Sequence, residues 1–545
     1  MKGTFIKDGR KAAGGSRPDG RPSAEAHEPA RTEQLRRVAR SGGISLAGSV
    51  ASSVLGFVLV VLVSRGLGAA GAGVFSVVAA VAMTLTVAGR LGTDTALVRA
   101  LARLRELGRD ADVRTAVLAA LLPVCVATTI FAAAMWWLAP VVAPLLFNGY
   151  RTDDAAQLLR VSSTLVPLGA GSWVALAATR SLGSVVPLTV IESIVKPAAR
   201  CVFVSVALLA GAGVYGTTVA WALPMALGAA LAAVSLRRVL RRVPAKGPIA
   251  KDSRRTWKEL WVFAGPRGVA SLFEIAGMHA GIVLTSALAG AEDAGVYNAV
   301  IRVALAGTLA LQALRLAVAP RISRMLTSGD VAGVEHIHQA STTWVVLLSF
   351  PLYLVFAAWP GQVLALFGPE FRDGSVALTI LACALLVNLA TGNVATVLLM
   401  NGRSALTLAI TAVSLGLGIA LTVVLAPAYG VIGAAIAKAT SVVFENLAVA
   451  LAVWLDIGVR TSCRPVWQAA GLAVVCFGVP PLPLHAVGAN GLTTAALMIL
   501  AGSAAYLAAC WRLRETFQLA AARSVVPGRL DRLFRRPAAS ERSGA

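Results

Sequence analysis

Between residues 42 and 511 the chain is built of apolar runs about twenty residues long, separated by short polar segments. Each run is long enough to cross ~30 Å of hydrocarbon as an α-helix. Inside a bilayer every backbone amide must find its partner within the protein, so such a chain can only form helices or a closed barrel. Barrel strands would alternate polar and apolar residues in short segments, which unbroken apolar runs do not. The residues are 57% hydrophobic and 14% charged, against about a quarter charged in ordinary globular domains. That composition excludes a soluble enzyme and leaves an all-α integral membrane protein of about fourteen transmembrane helices.

The formal charge of +23 suggests nucleic acid until the charges are placed. With fourteen spans and a cytoplasmic start, the inward segments hold 38 Lys or Arg and the outward loops only Arg65, Arg151 and Arg372. This is the asymmetry of a membrane protein with both termini in the cytoplasm. A nucleic-acid partner is not expected. The apolar runs begin near Ile44, behind some forty polar residues, so a cleavable signal peptide fits poorly. That leading tail, 1–41, is expected to be disordered and to lie, if anywhere, on anionic membrane lipids. The six cysteines form no CxxC pair and sit mostly in apolar runs, so neither metal nor cofactor is expected.

The chain repeats itself. AGVFSVVAAVA at 72–82 is echoed by AGVYNAVIRVA at 294–304, an offset of 222 residues. RSLGS at 180–184 faces MNGRS at 400–404, and AGVYGTTVA at 212–220 is echoed by YGVIGAAIA at 429–437, an offset of 217. The order is kept and the offset drifts by only five residues. The chain then divides into an N-lobe (42–240, helices 1–6), a basic cytoplasmic linker (241–258), a C-lobe (259–455, helices 7–12), two further helices (456–511) and a basic tail (512–545). Six spans per lobe is even, so the lobes run in the same direction through the bilayer. Parallel repeats of this kind are a transporter design, with the site between the halves near the midplane.

Six plus six plus two helices, together with LGAAGAGVF after the first span, FAGPRGVAS opening the seventh and VLLMNGRS after the tenth, resemble the polysaccharide or oligosaccharide flippases of the multidrug/oligosaccharidyl-lipid/polysaccharide exporter superfamily. The Ala- and Arg-rich composition is similar to that of actinobacterial members. The resemblance implies two lobes forming a V that opens alternately to either side of the bacterial plasma membrane. It implies a polyprenyl-diphosphate-linked glycan as cargo, moved from the inner to the outer leaflet, and a polysaccharide polymerase or glycosyltransferases as candidate partners. Flippases of the peptidoglycan lipid precursor and multidrug exporters belong to the same superfamily and are the alternative functions.

Moving a diphosphate through hydrocarbon requires cations along the path, because an unpaired charge there costs several kcal/mol. Lys196 and Arg200 on helix 5, Arg267 on helix 7, Arg302 on helix 8 and Lys438 on helix 12 are the candidates for that path, with Arg315 nearer a helix end. Arginine suits the task because its planar fork donates two hydrogen bonds to phosphate oxygens. Arg267 follows Pro266, where a broken helix end would add backbone donors. The acids Glu192, Glu274 and Glu445, together with His279, are candidates for ion coupling or for neutralising these bases. Glu192, Lys196 and Arg200 stand four residues apart on one helical face, so Glu192 can offset Lys196 while Arg200 has no acid of its own. Arg90 and Asp94, also four apart near the end of helix 2 (72–98), read as a local pair or a snorkelling arginine. None of the four cations with an assigned repeat mate has a charged one: Lys196 maps near Leu415, Arg200 near Ile419, Arg302 to Ala80 and Lys438 to Trp221. A drug exporter would present acids to its cationic cargo, whereas here bases outnumber acids within the spans. A membrane-embedded enzyme would need a catalytic acid pair, and the longest outward loop offers only Asp153 and Asp154 beside Arg151.

Overall fold

The computed structural model describes residues 28–183, 185–243, 253–461, 463–486 and 491–517. Most of the leading tail, the middle of the linker and the tail after 517 lie outside the described residues. Glu28–Arg90 is one helical stretch of two legs, α1 (28–67) and α2 (69–90), which meet at Gly68 with φ 71° and ψ −177°. There follow α3 (Val113–Leu146), α4 (152–181), α5 (186–209), α6 (Gly213–Arg242) and α7 (Ser253–Ala289). The second half continues with α8 (291–327, interrupted at Gly307 and Thr308), α9 (Val331–Ala358) and α10 (375–400, interrupted at Gly392 and Asn393). Ser404–Ile457 again holds two legs, α11 (404–429) and α12 (431–457), meeting at Gly430 with φ 54° and ψ −131°. Finally come α13 (464–486) and α14 (Leu492–Arg512). Among the described residues there is no strand.

Ten helical stretches are long and apolar enough to cross a membrane. Two of these are the doubled stretches split at Gly68 and Gly430, and α5 and α8 fall outside the ten. The described residues therefore make fourteen legs. Of the two outside the ten, α5 carries Glu192, Lys196 and Arg200, and α8, interrupted at Gly307 and Thr308, carries Glu292, Asp293, Arg302 and Arg315. Large apolar side chains point outward, among them Leu209 at 89% and Trp137 at 80% exposure. In water such a surface would associate, but against lipid tails it is at home.

The sequence repeat reappears as backbone geometry. Gly68 and Gly290 both have positive φ (71° and 107°), as do Gly183 and Gly402 (127° and 81°) and Gly213 and Gly430 (59° and 54°). These pairs stand 222, 219 and 217 residues apart, the spacings read from the sequence. A side chain at Gly68 or Gly430 would be forced into the left-handed region where the chain reverses between two long helices, and glycine adopts it without penalty. The two halves also meet at matching residues. Asn298 Nδ2 donates to Ser76 Oγ at 2.8 Å, and these two positions are 222 apart. Gly73 and its mate Gly295 face each other so closely that a Cβ on Gly73 would sit 1.7 Å from the carbonyl oxygen of Ala291. α2 and α8 thus cross at small residues, as membrane helices do where backbones must approach.

That crossing sits at the end of the bundle away from the basic connections. There Val74, Val77 and Val78 of α2 pack with Val296, Val300 and Val303 of α8 in one core shared by both halves. Towards the basic end the core divides. One part joins α3, α4 and α6, with Leu260 and Ala264 of α7 added to it. The other joins Val318 and Ile322 of α8 to α9, α10 and α12. The halves share one core at the end opposite the basic connections, and at the basic end they still touch where α7 packs on the first half. α13 and α14 pack on the outside of α9, where Tyr506 OH donates to the Leu347 carbonyl at 2.8 Å.

Three details differ from the sequence reading. Helix 2 does not run to residue 98: it stops at Arg90, turns through Leu91 and Gly92, and restarts as a short amphipathic helix, Thr93–Glu106, that buries Leu97, Leu101 and Leu104. α5 contains a π-helical turn, Ile191–Val195, just ahead of Pro197, so the extra residue of the turn absorbs the missing proline donor. α7 runs unbroken through Pro266, so Arg267 does not stand at a broken helix end.

Candidate functional site

The charged side chains inside the spans form two groups, one in each half. In the first half, α5 carries Glu192, Lys196 and Arg200. The Lys196 ammonium donates to both Glu192 carboxylate oxygens, at 2.9 and 2.8 Å. Both side chains are nearly buried, 8% and 10% exposed, so this is a desolvated ion pair. Ser172 of α4 adds its hydroxyl, 3.5 Å from Glu192 Oε1. The α6 backbone makes room for the lysine at Gly228, where a Cβ would come within 2.6 Å of the Lys196 side chain.

Arg200 forms no ion pair among the described residues. Its guanidinium lies over the Trp221 ring of α6, 4.7 Å from the centroid, and its Nε is buried without a hydrogen bond. Trp221 in turn meets Phe75 of α2 edge to face at 5.9 Å. Arg90 repeats the arrangement over Trp173 of α4 at 4.3 Å, again with a buried, unpartnered Nε. Glu192 lies within electrostatic reach of Arg90, Lys196 and Arg200. Three cations thus share one carboxylate, and two of the three are held by aromatic faces, an attraction that grows as water is removed.

The second half is arranged differently. Arg302 and Lys438 lie on α8 and α12 among residues that are otherwise mostly buried, yet each is exposed. Exposure in the middle of an inner helix means that the side chain borders an internal space. Arg302 is within electrostatic reach of His279 on α7, whose Nδ1 is 3.5 Å from Thr84 Oγ1 of α2. Arg302 therefore stands beside the seam between the halves. Lys438 and Arg315 both feel Glu445, which accepts from Thr411 Oγ1 at 2.9 Å. Arg315 Nε donates to Asn393 Oδ1 at 3.1 Å, where α10 is interrupted.

The sequence-selected residues therefore fall into place unevenly. Glu192, Lys196 and Arg200 come together, Arg302 joins His279, and Lys438 joins Glu445. Arg267 stands apart with Glu274 at 3.8 Å, both on α7 and both exposed. Arg90, read as a local pair with Asp94 or a snorkelling arginine, lies over Trp173 with Asp94 within electrostatic reach but, among the described residues, not within ion-pair distance. The signal that finds it is the placement of Trp173 and Trp221, the flat aromatic faces in the same half as the unpaired arginines.

Both ends of the seam are shut. At the basic end, a Cβ on Gly92 would lie 2.4 Å from the Ala264 carbonyl oxygen and one on Gly268 2.7 Å from the Leu91 carbonyl carbon. At the other end, the Ala69 amide donates to Glu370 Oε2 at 2.8 Å and Arg65 Nε donates to the Leu366 carbonyl at 2.8 Å. The Glu370 carboxylate caps α2 across the seam, where the positive end of a helix dipole favours an anion.

No curated protein matches the sequence. Among solved structures, the fold is similar to the lipid II flippase MurJ in an inward closed conformation, with TM-score 0.66 and 11% identity over 86% of this chain and 99% of that one. It is also similar to an inward-facing MATE family multidrug resistance transporter of the MOP superfamily, with TM-score 0.59 and 15% identity over 75% and 94% of the two chains. A MATE transporter of Vibrio cholerae gives TM-score 0.53 and 16% identity over 80% and 99%. At these identities the likeness is one of fold. In sequence, residues 266–424 match the MatE family and residues 38–326, more than half the chain, match the family described as polysaccharide biosynthesis protein. The chain belongs to the polysaccharide biosynthesis protein family, as a multi-pass membrane protein with the fold of the MurJ flippase and the MATE transporters.

Proposed function

We propose that the chain flips a polyprenyl-diphosphate-linked oligosaccharide, a precursor of a cell-surface polysaccharide, from the inner to the outer leaflet of a bacterial plasma membrane. The observation that carries this reading is the excess of cations over carboxylates inside the helices, with Arg90, Arg200 and Arg302 in no ion pair among the described residues. Arg90 and Arg200 are half-buried on tryptophan faces, each with its Nε buried, and Arg302 is open to an internal space beside the seam. Cations drawn from water with too few counter-ions are costly, and a diphosphate repays that cost by supplying the missing charge and acceptors. A carrier of cationic drugs would have the opposite balance.

In this reading the V takes up the lipid-linked head group from its basic, cytoplasmic end. Arg302, Lys438 and Arg200 take the diphosphate, and the lobes rock about the seam between α2 and α8. The Glu192–Lys196 pair holds the N-lobe charge cluster in shape. The seam contacts at Gly92–Gly268 and at Glu370–Ala69 part in turn, one opening inward and the other outward. Family membership favours a polysaccharide precursor over the peptidoglycan precursor as cargo.

The test is translocation of a labelled polyprenyl-diphosphate oligosaccharide between leaflets of proteoliposomes. The wild-type chain accelerates it over empty vesicles, and Arg302→Ala slows it by about tenfold, ~1.4 kcal/mol of lost stabilisation. Equal rates with and without protein, or an unaltered rate in both Arg302→Ala and Arg200→Ala, remove the proposal. Repeating the assay under imposed proton, sodium and voltage gradients identifies the driving force and assigns or dismisses roles for His279, Glu274 and Glu445.

A further inference from the structure

A half-open pocket of ≈ 180 Å³ lies where α2 and the short helix after it meet α7. Its polar lining is Arg90, Asp94, Ser271 and Glu274, and its apolar wall includes Ile275 and Met278. It is smaller than the ~300–1,000 Å³ of typical small-molecule sites, with room for a single sugar ring but not for a lipid tail or a whole oligosaccharide. Its floor is the seam in which Gly92 rests on the Ala264 carbonyl and the Gly268 amide, so the cavity exists only while the two halves touch there.

The lining selects a chemical class. Arg90 is a donor fixed by Trp173 on one side, with its Nε buried and unpartnered. Asp94 uses Oδ1 for its neighbour, the Thr95 amide, at 2.8 Å, which leaves Oδ2 to accept. Glu274 is held only loosely by Arg267, at 3.8 Å, and Ser271 both donates and accepts. One guanidinium between two carboxylates makes a poor receptor for a dianion, because the acids repel it. The same set suits hydroxyl groups, which donate to carboxylates and accept from arginine, while an apolar wall takes the C–H face of the ring.

We infer that this cavity receives one uncharged sugar ring of the lipid-linked cargo and makes the closed state at the basic end depend on it. The inference rests on the flippase reading above and adds to it: the diphosphate meets Arg200, which shares the Glu192 carboxylate with Arg90, and the ring seats between Arg90, Asp94, Ser271 and Glu274. Closure of the Gly92–Gly268 seam is then coupled to the presence of the right head group, so the carrier does not close on bare lipid diphosphate.

The experiment measures binding of three labelled probes to the full chain in nanodiscs: polyprenyl diphosphate alone, the same lipid bearing one neutral hexose, and the same lipid bearing one hexuronic acid. The neutral hexose probe binds about tenfold tighter than the bare lipid, the yield of two charge-assisted hydrogen bonds after desolvation. Asp94→Asn, which keeps size and removes charge, and Ser271→Leu, which fills the cavity, each bring that ratio to within about twofold. A ratio near one in the wild type, with the bare lipid still bound, overturns the cavity's role and leaves the flippase reading standing. A ratio that survives both substitutions, or tighter binding of the hexuronic probe, overturns it as well. Absence of binding by all three removes the flippase reading and this inference together.

Discussion

The two halves share a backbone plan but not a chemistry. Gly68 and Gly213 turn the first half at the places where Gly290 and Gly430 turn the second. Yet Trp221 of the first half corresponds to Lys438 of the second. One side of the pair is an aromatic face that holds Arg200, and the other is itself a cation open to the interior. The first half keeps its charges dry, paired or stacked. The second keeps Arg302 and Lys438 accessible. A repeated scaffold needs the same turns and crossings on both sides, because these set helix geometry. An asymmetric ligand, lipid at one end and sugar at the other, needs different groups from each half.

The comparison breaks most sharply at Glu192. Replacing it by Leu leaves Lys196 buried without a counter-ion between two other cations and costs about 3–5 kcal/mol. Thermal unfolding of purified protein measures the loss, and the Glu192→Leu/Lys196→Leu double variant recovers most of it. If the single and double variants unfold alike, the pair is not what holds the first half together.

At the seam, Gly73→Val places a branched side chain where a Cβ already meets the Ala291 carbonyl at 1.7 Å. The two halves then cannot close, and translocation falls at least tenfold, ~1.4 kcal/mol or more. A Ser76→Cys/Asn298→Cys pair, which crosslinks in the parent, no longer does so. Gly416→Ala, with nothing within 4 Å, serves as the silent control.

The third prediction sets the halves against each other directly. Arg302→Ala lowers translocation while stability stays within about 0.5 kcal/mol, the usual range for an accessible side chain without close partners. Trp221→Leu does the reverse first: it removes the face under Arg200 and costs about 1–2 kcal/mol of stability. Measured side by side, equal stability losses in the two variants would falsify the division into a dry half and an open half. The smallest effect is expected at the surface. Arg103 and Glu259 pair at 2.9 Å with side chains 59% and 45% exposed, and Arg103→Ala shifts the melting midpoint by the equivalent of no more than a few tenths of a kcal/mol, less still in high salt.

Much of this was legible in the chain. Apolar run length gave fourteen legs, including α5, which carries three charges, and α8, which is interrupted at Gly307 and Thr308. The echo of AGVF in AGVY gave the repeat, and the i, i+4 spacing of Glu192 and Lys196 gave their ion pair, 2.8 Å long in the structure. Arg200 and Arg90 were harder. Their partners, Trp221 and Trp173, come from other helices, and no spacing along one helix points to a ring brought alongside by packing. The turn at Leu91–Gly92 was hidden for a related reason. LGTD sits inside a helix-compatible run, and only the backbone of α7 packed against Gly92 explains the break.

The sequence by itself determined what local rules and solvent dictate: which segments enter the membrane, because hydrocarbon tolerates only internally bonded apolar helices, and where they reverse, because only glycine takes the required φ cheaply. It also fixed the twofold plan, since a repeat in turn-forming residues is a repeat in backbone path. The tertiary structure decided which cations are free to meet a ligand. Burial, stacking and the gap between the halves depend on the distance between helices far apart in the chain. Arg200 and Arg302 look alike as letters, and only the packing around them, a tryptophan face for one and an internal space for the other, gives them different work.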